Sequence, residues 1–428
     1  MPEPSPSFSA LAPRPLPIVV VGGGAAGLMA AIHAGRMSAG RRPVLLLERT
    51  RDGGRKILVS GGGRCNVLPA VLAPDRFVTA SSPNTLRKML TAWPLAEQLA
   101  FFVDEARVPL KLETESAKYF PQSDKARDVR EALLRLAHEA AVRIQFEARL
   151  VGLARDGDSW RLDLESGESL AASAVIVASG GMSLPGTGSD GGGLALLQGL
   201  GHTVEATYPA LTPLLANPPV HAGLAGVSRE VTLRAPGAGP KGRPLLARGG
   251  FLFTHRGYSG PAVLDVSHLA VTTRNAESPQ RLEVQWTDAD EATWDQRLHA
   301  SGGTSFVGPL LERHLESRLA ARLLEECGID PRLSLARLRR EDRLNLAAAL
   351  ARYPLPWTGD EGYAKAEVTG GGVALSEIDA RTLESRLHPG LFLCGELLDA
   401  FGPIGGHNFA WAWATGRAAG IAAGAKFV

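Results

Sequence analysis

The chain has 428 residues, 45% hydrophobic and 21% charged, enough to bury a substantial core spread over two or three domains. Forty-six basic against 44 acidic side chains leave a net charge of +2, too small a balance to argue for a nucleic-acid or membrane-surface partner. Cys65, Cys327 and Cys394 form no C-x-x-C pair and the ten histidines fall in no metal-ligand spacing, so neither a disulfide redox centre nor a metal site is expected.

In chain order, residues 1–16 are Pro/Ser-rich with no basic or apolar region, and read as a disordered tail instead of a secretory signal. No apolar run reaches the ~18 residues of a membrane span, which leaves the cytoplasm as the default compartment. A short apolar run at 18–21 enters the turn Gly22-Gly23-Gly24-Ala25-Ala26-Gly27, a helical pattern follows at 28–37, and a second apolar run at 44–47 ends at Glu48. That is β-α-β within about 31 residues, the opening of a doubly wound sheet. A glycine-rich loop at 53–66 precedes two amphipathic helical stretches, 82–103 and 125–140. Residues 142–178 alternate as short strands and close on the apolar run 174–178.

Residues 205–290 then read as strands, 291–352 as helices, and from 363 the pattern becomes strand, glycine turn and helix, with a strand at 392–394 and a helix at 409–421. The economical reading is an α/β chain: a Rossmann-type dinucleotide domain in two segments, 17–204 and 363–428. A β-rich insertion (205–290) and a helical one (291–362) interrupt it.

The first turn fits G-x-G-x-x-G at Gly22, Gly24 and Gly27. Gly22 permits the tight turn, Gly24 admits a pyrophosphate, and Gly27 lets the helix pack on the strand so that its first N–H groups, Ala26 among them, face the phosphates. Glu48, 21 residues past Gly27 at a strand end, suits the adenosine ribose hydroxyls and would repel a 2′-phosphate. FAD is favoured over NAD from the far end of the chain. There Gly395-Glu396 closes a strand and Gly405-Gly406-His407-Asn408, running into Phe409, opens a helix. Glu396 is a ribityl-hydroxyl acceptor candidate, and the helix start near Asn408 would stabilise negative charge on a reduced ring. No second G-x-G-x-x-G stands between a strand and a helix, which disfavours a dedicated nicotinamide domain. His255 reads as a hydrogen-bonded structural residue, and Trp411 and Trp413 as helix packing.

At this point the sequence resembles the bacterial BaiN-like flavoproteins, NAD(FAD)-utilising dehydrogenases. The resemblance is carried by GGGAAGLMAA, GRKILVSGGGRCNV, YFPQSDKA, FLFTHRGYSGPAVLDVS and AEVTGGGVALSEIDARTLESRLHPGLFLCGELLDAFGPIGGHNFAWAWATG, spread from residue 22 to 416. It implies FAD, a Rossmann-type domain with inserted β-barrel-like and helical domains, and oxidoreductase activity. It also implies a second flavin-contacting loop at Lys56 and Ser60-Gly61-Gly62-Gly63-Arg64-Cys65-Asn66, and a returning turn at Ser179-Gly180. His407 stands where the family commonly has Tyr, beside the expected ring, and is the candidate base. Leu68-Pro69 replaces the Thr-Asn often seen there.

These readings lead to a reductase of a small unsaturated carbonyl that takes hydride from a transiently bound NADH or NADPH. The alternatives are an oxygen-dependent amine or amino-ketone oxidase and, from another class, a flavin-bearing sensor or RNA-associated protein. The partner expected is a small molecule, with neither nucleic acid nor membrane and with the oligomeric state open.

Overall fold

The computed structural model describes residues 15–300 and 305–427; residues 1–14 of the expected tail lie outside them. Five short apolar runs form one parallel sheet: β1 (Ile18–Val21), β2 (Val44–Leu47), β3 (Val142–Gln145), β4 (Ala174–Val177) and β5 (Leu391–Leu393). Their spatial order is β5-β4-β1-β2-β3, with Ile18 opposite both Val44 and Ala174. β1, β4 and β5 are buried at every position, as expected of parallel strands covered on both faces. The order reverses between β1 and β4, where the crevice beyond the carboxyl ends of the strands takes ligands in this architecture.

Helix α1 (Ala25–Ser38) follows β1, and α2 (Ala126–Glu139) crosses over to β3. The expected helical stretch at 82–103 divides into Pro83–Thr91 and Leu95–Ala100, the latter continuing as a wider turn over Phe101–Glu105. Between β3 and β4 lies an antiparallel meander, Leu150–Asp156, Ser159–Leu164 and Ser169–Ala172.

Between β4 and β5 the chain leaves through Val204–Ala210 and returns through Val368–Val373, paired antiparallel. Beyond this stalk is a seven-stranded antiparallel sheet whose central strands are Ser228–Ala235 and Leu245–Phe253. Helices Glu291–Ala300, Val307–Glu312, Ser317–Glu326 and Arg340–Ala351 follow. Strands and helices of the insertion share one hydrophobic core that includes Phe251, Phe253, Tyr258, Trp286 and Trp294. A second, separate core fills the Rossmann unit.

One stretch differs in kind from the sequence reading. Residues 261–273, within the expected strand region, form helix α3 (Pro261–Thr273). Gly260 and then Pro261 at the first helical position start it. Ala262, Val263, Val266 and Ala270 share a buried face, so packing overrides the strand preference of its valines and threonines.

The last helix, α4 (His407–Ala425), lies against α1. Gly416, Gly420 and Gly424 face Ala26, Ala30 and Ala34, so closely that a Cβ on Gly420 would stand 2.3 Å from the Ala30 carbonyl oxygen. Trp411 and Trp413 are buried in the Rossmann core, their indole N–H groups donating to the Gly395 and Val67 carbonyls at 3.0 Å each.

Candidate active site

A cavity of about 760 Å³ opens beyond β1, β2 and β4, within the usual range for small-molecule sites. One end is built by the first glycine turn. Gly27 touches the turn's own backbone, since a Cβ there would lie 1.8 Å from the Gly22 carbonyl oxygen. At Gly24, which caps α1, a Cβ would meet no protein atom within 4 Å and would project into open space. The N–H groups of a helix's first turn have no partner within the helix, and here that turn lines the cavity through Ala25 and Ala26.

Glu48 also lines this end, largely buried. Its Oε2 accepts the Gly23 N–H at 2.7 Å, and its Oε1 accepts both the backbone N–H and the hydroxyl of Thr50, each at 2.7 Å. The carboxylate therefore fixes the glycine turn against β2. Outside it, Asp190 bridges Arg49 and Arg149, with 3.0 Å to the latter. All three residues line the cavity, and no motif in the sequence pointed to them.

The second glycine loop forms the floor. Gly61, Gly62 and Gly63 have φ of 56°, 68° and 87°, a left-handed run that side-chain-bearing residues resist. Ser60, Gly61, Gly62 and Asn66 line the cavity. Arg64 does not: it turns outward to Glu113 at 2.9 Å and lies over the Phe120 ring at 4.0 Å, so it brings no charge to the cavity. Cys65 is wholly buried beneath the loop, and burial pushes its thiol up to about 12, which rules out a reactive thiolate there.

At the other end, residues far apart in sequence meet. Lys56 Nζ donates to Glu396 Oε2 at 2.6 Å and to Ser183 Oγ at 2.7 Å. Glu396 Oε1 accepts from Ser183 Oγ at 2.6 Å and from the N–H and hydroxyl of Thr369 at 3.1 and 3.0 Å. Lys56, expected as part of the flavin-contacting loop, lines the cavity as the counter-ion of Glu396, and the pair ties the second loop to the returning strand. Ser179 and Gly180, Gly406, Asn408 and Phe409 complete the lining. Asn408 braces the preceding turn, its Oδ1 accepting the Gly402 N–H at 2.8 Å and its Nδ2 donating to the Gly402 carbonyl at 2.9 Å.

Of the remaining expected contacts, Gly27, Gly63 and Gly395 shape the backbone without lining the cavity; a Cβ on Gly395 would come within 2.7 Å of the Ala26 Cβ. His407 is a correction. Its imidazole is buried against Phe77 and outside the lining, with a ring centroid separation of 6.1 Å. Burial, reinforced by the Arg76 charge, pushes its pKa down to about 4, against the opposing pull of the nearby Ile404 and Val71 backbone. It is a neutral packing residue and not a base at the cavity. His255 is exposed in the turn between Leu245–Phe253 and Gly257–Ser259. Among the described residues no group of His, Cys, Asp and Glu could hold a metal ion, and no helix is long and apolar enough to cross a membrane.

The donor set suits FAD. A helix N-terminus and open glycine backbone meet a pyrophosphate, Glu48 stands at the strand end for a ribose, and α4 begins at the far end of the same cavity. When bound there, FAD would supply hydride transfer. Fold and site together define an FAD-dependent oxidoreductase on a Rossmann-type fold. Within that class the chain belongs to the family described as HI0933-like protein Rossmann domain, whose model matches residues 16–422.

Three curated relatives give the family's range. The chain is 31% identical over 407 residues to a ribosomal RNA dihydrouridine synthase of Escherichia coli, covering 93% of this chain and 95% of that one. It is 32% identical over 412 residues to a 3-dehydro-bile acid delta(4,6)-reductase of Clostridium scindens, covering 95% and 98%. A ribosomal RNA dihydrouridine synthase of Haemophilus influenzae is 28% identical over 428 residues, covering 94% and 97%.

Proposed function

We propose that this chain uses FAD and transiently bound NADH or NADPH to reduce a carbon–carbon double bond conjugated to a carbonyl, with a small molecule as substrate. One observation carries the reading: relatives named for different substrates act on the same electronic motif. A 3-dehydro-Δ4,6 steroid presents a ketone conjugated to its double bonds, and the C5=C6 bond of uridine is conjugated to the C4 carbonyl. Such a bond is electrophilic at its β-carbon, so it accepts hydride and then needs a proton at the α-carbon. Lys56, Glu396, Lys365 and Glu367, all of which line the cavity, supply charge and exchangeable protons for such an acceptor.

A second reading makes the acceptor a uracil base in ribosomal RNA, favoured by two relatives of that name at 31% and 28% identity. Against it stand a net charge of +2 and many arginines already held by carboxylates. The amine-oxidase alternative no longer draws on His407, which is not among the residues lining the cavity.

The test is reoxidation of the anaerobically reduced holoprotein by a panel of conjugated ketones and by an unmodified ribosomal RNA transcript. Rapid turnover with a ketone supports the small-molecule reading. Turnover with RNA alone replaces it by the second reading, and turnover with neither sinks both.

A further inference from the structure

Glu367 stands at the start of Val368–Val373, on the same wall of the cavity as Ile404 and Gly405. The other acids at this end are engaged. Glu396 is held by Lys56, Ser183 and Thr369, while Asp265 of α3 accepts the Ile404 N–H at 2.7 Å and pairs with Arg76 at 2.9 Å. Glu367 differs: its backbone is held, the N–H by the Leu211 carbonyl at 3.2 Å, yet among the described residues its carboxyl makes neither hydrogen bond nor ion pair. Its side chain is exposed and lines the cavity.

The charges that act on it are Lys118 on the strand Lys118–Pro121, Lys56 on the short helix Arg55–Val59, and Asp265, itself paired with Arg76; Glu396 and Lys365 line the same cavity. Lys118 reaches the same corner, its Cε 3.3 Å from where a Cβ on Gly405 would lie. Desolvation, with the Asp265 charge added, raises the Glu367 pKa above the ordinary carboxylate range, and Lys118 and Lys56 oppose that rise. A carboxyl free of partners, with its acid form favoured and lining the cavity, can give a proton to a conjugated acceptor held there.

Resting on the reaction proposed above, we propose that Glu367 is the proton donor to the α-carbon of the substrate. Hydride, two electrons and a proton's mass, arrives at the β-carbon from the reduced dinucleotide, and the carbon–carbon π bond breaks. Its electron pair passes to the carbonyl as an enolate. The enolate's α-carbon forms a bond to hydrogen as the Glu367 O–H bond breaks, and the carboxylate left behind is reprotonated by water from the open cavity.

Holoprotein carrying Glu367→Gln, Glu367→Asp or Asp265→Asn is reduced anaerobically and mixed with cyclohex-2-en-1-one and larger conjugated ketones across pH. Glu367→Gln is expected to slow reoxidation by about 10²- to 10⁴-fold. In the wild type the rate falls as pH rises through the Glu367 pKa, because only the acid form has a proton to give; Glu367→Gln flattens that limb, and Glu367→Asp restores part of the rate. A second readout is independent of turnover. In an infrared titration across pH, one carboxylic-acid carbonyl band is lost in Glu367→Gln and retained in Asp265→Asn. Wild-type rate and pH profile in Glu367→Gln, or survival of the band in that variant, overturn the role of Glu367 alone. A wild type that no conjugated ketone reoxidises overturns the underlying reaction and this role with it.

Discussion

The contact between α1 and α4 decides how the first glycine turn is held, and Gly416→Ala tests it. In an ordinary helix interior, replacing Gly with Ala stabilises by about 1 kcal/mol, because Gly gives up more backbone freedom on folding. At Gly416 a Cβ would lie 2.4 Å from the Ala26 carbonyl oxygen and 3.1 Å from its carbonyl carbon and Cα. Backbone cannot rotate out of the way as a side-chain tip can, so the helices must part by several tenths of an ångström. Overpacking of this kind costs about 1–3 kcal/mol, so the clash outweighs the propensity gain and the net effect is about 0–2 kcal/mol of destabilisation. Ala26 sits in the first turn of α1 and lines the cavity, so the same displacement weakens FAD binding. The matched control is Gly199→Ala, at the end of the helix Gly192–Gly199, where a Cβ meets nothing within 4 Å. Thermal melting of apoprotein and holoprotein, with FAD titration by fluorescence, is the assay. Gly416→Ala should melt below wild type with weaker FAD affinity, and Gly199→Ala at or above it with affinity unchanged. Gly416→Ala melting above wild type with full affinity would refute the close-packing argument.

Three further expectations follow from individual side chains. Glu48→Gln places an amide N–H₂ against donors that Glu48 now satisfies, a cost of about 1–3 kcal/mol, so FAD titration should show affinity lower by roughly 10- to 100-fold; unchanged affinity would count against the turn's dependence on Glu48. His33, half-buried between Trp93 and Phe101, is pushed down to about 3 chiefly by desolvation, and burial brings His268 to about 4. Because the unfolded chain binds these protons from about pH 6.5 downward and the folded one does not, this stability is present above pH 6.5 and is lost as pH falls toward 3–4; the melting temperature should drop over that window, less steeply in His33→Leu. Finally, burial raises all three thiols, Cys65 to about 12 and Cys327 to about 11, so a disulfide reagent at pH 8 should label the native protein slowly and all three cysteines after denaturation; fast labelling of Cys65 or Cys394 in the native state would contradict its buried placement.

The Rossmann frame was legible because its determinants are local. An apolar strand, a turn that only glycine accommodates and an acid at the next strand end lie within about 31 residues, and each is imposed by backbone geometry. Thirteen residues past Glu48, the triple glycine marked a glycine-rich loop in the same way. Position along the chain also pointed to Gly406, Asn408 and Phe409, which line the cavity, because a helix start fixes where its first residues face. What failed was side-chain direction. Arg64 follows the loop as expected, yet Glu113 and the Phe120 ring draw it outward. His407 opens α4, but one residue of helix rotation separates it from the cavity-lining Asn408. The Lys56–Glu396 pair joins residues 340 apart, and no spacing rule reaches that far. α3 was missed because its valines and threonines favour strands in isolation, while the buried face that makes it a helix exists only once the insertion packs.

The claim at the centre is that this cavity holds a flavin that accepts hydride from a nicotinamide and passes it to a conjugated carbonyl. Anaerobic stopped-flow absorbance of the purified holoprotein tests it directly. The expected result is that NADH or NADPH bleaches the oxidised flavin bands and that a conjugated ketone restores them. Bands that neither nicotinamide bleaches, or a protein that binds no FAD, would contradict it.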